Sequence, residues 1–181
     1  FDQVAQFLQH FVTGLGGREL TITTNNETFT DTEKLFLPET IGVHDLLEEN
    51  FSLYKLTAVH LWAQSWFGTW RYQVVERLVR SPDVERVVDV FNRLECIRLD
   101  ACIERELPGL HRQLAASAFV TEEHKSEWDR WAVDAMELAE PGASALDSLE
   151  LVPEFLDRLP PRLKRYQGDV HLDQVREALF A

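Results

Sequence analysis

The sequence predicts a mainly α fold: an irregular multi-helix bundle around a buried central helix (about 45–67), with a small antiparallel β hairpin at about 19–37. Three observations carry this. The stretch from Leu56 to Trp70 is apolar almost all the way round, and a helix apolar on every side belongs inside a bundle rather than on its surface. Most of the remaining chain shows apolar residues at helical spacing, punctuated by Gly and Pro. Only the region from Glu19 to Leu37 alternates in the way a half-buried strand does.

The elements follow in order. Phe1–Val12 reads as a helix with Val4, Phe7, Leu8, Phe11 and Val12 on one side, ended by Gly14, Gly16 and Gly17. That glycine cluster lacks both the Gly-Lys-Ser/Thr ending of a phosphate loop and the third glycine of a dinucleotide fingerprint, so it is read as a turn. Glu19–Thr24, Thr28–Thr30 and Leu35–Leu37 read as extended, an antiparallel hairpin or three-stranded ribbon packed on the helices, with turn chemistry at Asn25-Asn26 and an apolar face of Leu20, Ile22, Phe29, Leu35 and Leu37. Asp45 and Glu48 read as a capping box opening the central helix, and Gly68 as its stop. Three of the five Trp (Trp62, Trp66 and Trp70) recur at intervals of four and should stack along one side of it.

Further helices are expected at Arg71–Arg80, at Pro82–Glu106 with Ser81 as cap, at Leu110–Phe119, and from Thr121 to about Ala139. The last of these should turn Trp128, Trp131, Ala132, Ala135, Met136 and Leu138 inward. Ala145–Leu159 reads as a weaker helix interrupted near Pro153, Leu163–Tyr166 as a helical turn, and Leu172–Phe180 as a final short helix. The chain is taken as a single domain, 1–181, with about 160–181 an extension or linker; its start lacks Met and begins mid-pattern, as a fragment would.

Composition bounds the function. A net charge of −13 argues against nucleic acid or anionic lipid as a partner of the whole surface. Eleven acids between Glu122 and Asp157 face only Lys125 and Arg130, and the basic run Arg158, Arg162, Lys164 and Arg165 follows; this reads as a solvated acidic face, or as a patch for a basic partner. No apolar run is long enough for a membrane span, and no signal peptide is visible. Cys96 and Cys102 are six apart on one helix, about 9 Å along its axis, too far to bridge. Two unpaired thiols without a secretion signal point to the cytoplasm.

Little in the chain points to catalytic chemistry. His60 and Gln64 have the i, i+4 spacing of a zinc-protease helix, but the second His and the general base of that motif are missing. A degenerate metalloenzyme centred on His60 is therefore carried only as an alternative. His44, His111, His124 and His171 are scattered. No nucleophile motif and no adhesion-type D-x-S-x-S occurs. Arg98 and Asp100 are charges on the inner part of a long helix and read as an intra-bundle ion pair, with a partner contact as the alternative. No catalytic, cofactor or metal residue is assigned, and the partner-contacting residues are not identified.

Several strings nevertheless resemble the N-terminal region of the CbbO/NorD family. Leu37-Pro38 precedes a helix carrying Tyr54, Ala58 and His60 and finishing in Phe67-Gly68-Thr69-Trp70. A later helix carries Leu94, Glu95, Arg98 and Asp100 and ends in Pro108-Gly109. The resemblance covers roughly 30–112, and VHLWAQSWFGTW looks closer to CbbO than to NorD. It implies a non-enzymatic adaptor subunit of a Rubisco activase, needing no cofactor of its own. Its partner would be a MoxR-type AAA+ ATPase hexamer (CbbQ-like). Rubisco would be the client, reached mainly through a C-terminal von Willebrand factor A domain absent from this chain. A NorD-like role in nitric oxide reductase maturation is the neighbouring alternative.

Overall fold

The computed structural model describes residues 2–181, with side chains from Val4 onward. It is a multi-helix bundle with one small sheet: α1 (Asp2–Leu15), β1 (Thr21–Thr24), β2 (Phe29–Thr30), β3 (Lys34–Leu37), α2 (Leu47–Trp66), α3 (Tyr72–Val79), α4 (Val84–Glu106), α5 (Pro108–Ser117), α6 (Glu122–Asp134), α7 (Ala145–Phe155) and α8 (Leu172–Phe180). The expected Phe1 start of the first helix lies outside the described residues.

The second half of α2 is buried on every side, from Leu56 through Gln64. Its partner is α4, the longest helix, whose buried stretch from Phe91 to Leu99 contains five polar or sulfur-bearing residues: Asn92, Glu95, Cys96, Arg98 and, at its edge, Arg93 with side-chain exposure of 12%. Among the described residues no helix is long and apolar enough to cross a membrane.

The helix ends correct the sequence reading. Leu46, not Asp45, occupies the N-cap of α2, and no side chain caps it there. Asn50 does the anchoring instead: its amide donates to the His44 carbonyl at 2.7 Å while its oxygen accepts from the His44 N–H at 2.9 Å. Asp83 rather than Ser81 caps α4, accepting from the Arg86 N–H; the Ser81 hydroxyl bonds back to Arg77 O in the helix before. Gly68, at φ +67, does end α2, in the left-handed conformation that glycine adopts freely.

The stretch expected to be one helix to Ala139 breaks at Ala135 and continues as a 3₁₀ turn, Met136–Ala139. Leu138 faces inward as expected, whereas Met136, 67% exposed, and Ala132 face outward against the expected inner side. Leu163–Tyr166 forms no helix, only a single turn closed by the Gln167 N–H donating to Lys164 O at 2.9 Å.

The sheet has the order β1-β3-β2. Only β2 and β3 form the expected antiparallel pair; β1 joins the other side of β3 in parallel. The tight turn lies at Asp31–Glu33, where the Asp31 carboxylate accepts the N–H groups of Glu33 and Lys34. Asn25–Thr28 is the crossover that carries the chain to the far edge. The expected apolar face stands: Leu20, Phe29, Leu35 and Leu37 are buried and Ile22 packs beside them.

Residues 161–170, expected as an extension or linker, pack across α4. The Arg93 guanidinium donates to Pro161 O, Asn92 donates to Gly168 O at 3.1 Å, and Gln167 returns a bond to Asn92 O at 3.0 Å. Gly168 lies so close to β2 that a Cβ there would sit 2.6 Å from the Thr28 carbonyl oxygen, so only glycine fits.

Candidate functional site

Two buried polar clusters lie between α2 and α4. The first is centred on Glu95, spaced three residues from Arg98 so that both face the end of α2. Arg98 grips the carboxylate with two nitrogens, Nε to Oε1 at 2.7 Å and a terminal nitrogen to Oε2 at 2.8 Å. Thr69 donates to Oε2 at 2.5 Å and Ser148 of α7 to Oε1 at 2.6 Å. Arg98 also reaches Phe67 O at 3.2 Å. Burial alone would lower the Arg98 guanidinium, but the hydrogen bonds and charge of Glu95 hold it above its ordinary value.

The second cluster is centred on Asp100. Lys164 and Tyr166, from the segment that crosses α4, both donate to Asp100 Oδ2, at 2.6 and 2.8 Å. Asp100 Oδ1 accepts nothing. His60 of α2 packs its ring 5.3 Å from that of Tyr166, is 1% exposed, and has no hydrogen-bond partner on either ring nitrogen. Cys96 lies one turn before Asp100 on the same face, its sulfur 3.9 Å from Oδ2. One ligand-type atom each from His60, Cys96 and Asp100 lies within 4.8 Å of the others.

The charge states follow from burial and neighbours. Burial pushes the His60 imidazole down to about 4, so it is neutral. Burial, reinforced by the Asp100 charge, holds the Cys96 thiol and the Tyr166 phenol well above their usual values. Burial opposes both charges of the Asp100–Lys164 pair, yet their mutual attraction and hydrogen bond, together with the other neighbouring groups, outweigh it: Asp100 lies below the usual carboxylate value and Lys164 above the usual amine value.

The structure thus separates the residues that the sequence paired. Gln64 does not join His60; its side-chain oxygen accepts from Trp70 Nε1 at 2.8 Å and its carbonyl from the Thr69 N–H. Arg98 and Asp100 both form ion pairs, but with Glu95 and Lys164. Both cysteines are free and buried. His44, His111 and His171 pair with separate acids near the surface, and His124 contacts Arg162 O. Sequence reading missed Lys164, Tyr166 and Ser148. The one local signal was the i, i+4 spacing of Cys96 and Asp100 on a helix face.

A surface feature complements these clusters. An apolar groove of about 480 Å³ runs beside the start of α2, lined by Val4, Ile41, Leu47, Phe51 and Tyr54 and edged by Glu39 and Glu48. Leu47 is 84% exposed there, and Val43 and Leu46 stand out beside it.

No protein-family model, no curated protein and no solved structure matches the chain.

Proposed function

We propose that this domain is a non-catalytic adaptor of the CbbO type, which docks on a MoxR-type AAA+ hexamer and couples ATP hydrolysis to remodelling of inhibited Rubisco. The observation that carries this reading is where the residues of the resemblance lie. Tyr54 donates to Pro38 O at 2.7 Å, Thr69 and Glu95 bond across α2 and α4, and His60 stands beside Asp100. Each string quoted for the family meets another, so their polar groups hold a frame together. A frame of that kind suits a part that transmits force from a motor.

The apolar groove is the surface that suits the motor best. It would take an apolar anchor flanked by basic residues, because Glu39 and Glu48 edge it and the chain as a whole carries −13. The test is to mix the domain with its cognate MoxR-type hexamer in ADP, in ATP and without nucleotide, across a range of salt. Co-elution, or a changed ATPase rate, is expected. Absence of association in every state removes the reading.

A further inference from the structure

We infer that His60, Cys96 and Asp100 form a buried binding site for a zinc-like divalent cation, which pins α2 to α4 beneath the crossing segment 161–170. The site is independent of the adaptor reading and lies away from the groove.

Three observations carry it. First, imidazole, thiol and carboxylate are the ligand types that zinc takes, and here the three donor atoms lie within 4.8 Å of one another. A tetrahedral zinc site needs ligand separations of about 3.3–3.8 Å, so the three must close by roughly an ångström.

Second, two of the three residues carry buried polar atoms without a partner. Both ring nitrogens of His60 lack a partner although the side chain is 1% exposed, and an unsatisfied buried imidazole is costly. Asp100 Oδ1 is likewise unpartnered, while Oδ2 accepts from Lys164 and Tyr166 and has the Cys96 sulfur 3.9 Å away. The carboxylate is therefore held in place by one oxygen and left open at the other, as outer partners hold a ligand in a metal centre.

Third, one of the three ligands borders a cavity at the surface. Asp100 and Lys164 form part of the wall of a surface cavity of about 220 Å³, alongside Ala101, Phe119 and Trp128, and keep 14% and 12% side-chain exposure.

Lys164 is the group that opposes a cation here, and the ligand chemistry reduces that opposition. On binding, the S–H bond of Cys96 breaks, its proton leaves to solvent and a metal–sulfur bond forms. The local charge then rises by one rather than two. Water from the cavity would complete the fourth position, as in zinc sites with three protein ligands.

The test uses the full chain, grown with zinc and purified without chelator. Elemental analysis is expected to find one zinc per chain, lost in Cys96→Ser and in His60→Leu. The metal-free protein titrated with cobalt(II) is expected to develop a thiolate-to-cobalt absorption in the near ultraviolet. That band should persist in Cys102→Ser and vanish in Cys96→Ser. Tyr166→Phe, which keeps all three ligands, should weaken affinity by about 10–100-fold. If the Cys96 and His60 variants fail to fold, the cobalt spectra of the wild type and Cys102→Ser decide alone. A folded wild type without zinc and without the thiolate band overturns the proposal. So does metal that Cys96→Ser retains, which would place it on the acidic surface.

Discussion

Thr69 donates its hydroxyl to Glu95 Oε2 at 2.5 Å, locking the turn after α2 to the middle of α4. Both side chains are buried, and Arg98, 2% exposed, sits on the same carboxylate. Removing the acid strands a buried guanidinium. Glu95→Leu should destabilise the domain by about 3–5 kcal/mol in urea denaturation. Thr69→Val, which removes a single donor to a charged acceptor, should cost about 1.5–3 kcal/mol. Equal small losses in both would show that the cluster carries little of the stability.

The Trp row divides by burial. Trp62 is 2% exposed and donates to Gly16 O, whereas Trp66, expected to lie in the same buried row, is 45% exposed and bonds to Glu106 at the surface. The Trp62 and Trp66 rings do stack, with centroids 5.5 Å apart, while Trp70 lies beyond the helix end and meets Gln64 and Phe91. Trp62→Ala should cost about 3–5 kcal/mol. Trp66→Ala should cost less, about 1–2 kcal/mol for a half-buried ring. Thermal melts of the two variants rank them directly.

Helix α7 opens on a reciprocal cap: the Asp147 carboxylate accepts from the Ser144 N–H at 2.6 Å, and Ser144 caps the third helical position in return. Those hydrogen bonds from the Ser144 hydroxyl and backbone pull Asp147 below its ordinary value of 3.8. Its contribution is therefore complete above 3.8 and disappears as pH falls through the lower folded value. An NMR titration of the Asp147 carboxyl should show the depressed midpoint, and Ser144→Ala should bring it back up. The same substitution should cost about 1 kcal/mol near neutral pH.

The docking face can be separated from the fold. Leu47 is 84% exposed, so Leu47→Asp should change stability by no more than about 0.5 kcal/mol. It should nevertheless abolish association with the hexamer, read by co-elution. Raising salt from about 0.1 to 1 M shortens the screening length from about 10 to about 3 Å. That should slow association through the acidic rim without dissolving the complex. Binding that high salt abolishes and Leu47→Asp spares would move the contact to the acidic face of α6 and α7.

What the sequence made legible was whatever one segment decides by itself. The all-round apolar run at Leu56–Trp70 required burial, and the structure buries it through Gln64 and again at Thr69 and Trp70, while Ser65, Phe67 and Gly68 are half-buried and Trp66 is exposed. Capping was less legible because several side chains could serve: at the start of α2 Asn50 anchors the preceding chain, and Asp45 stays outside. Strand alternation identified the apolar face of the sheet but held nothing about strand order, which depends on where the crossover at Asn25–Thr28 lands. The Asp100 cluster was the least legible. Lys164 reads in sequence as one of a run of basic residues, and only the path of the chain, sixty-four positions later, lays it on Asp100.

The crossing segment also sets when this protein can finish folding. Asp100, Asn92 and Arg93 wait for partners that lie 64 to 76 positions further on, and Arg86 likewise reaches the carbonyls of Leu156 and Arg158. Gly168 must seat on Thr28, near the opposite end of the chain. While a ribosome is still making the molecule, α4 can form and meet α2, but its charged middle has nothing to close over it. The emerging chain therefore carries an open, partly charged seam until residues 161–168 have left the ribosome, and an early stop anywhere before Gly168 leaves that seam exposed to chaperones and proteases.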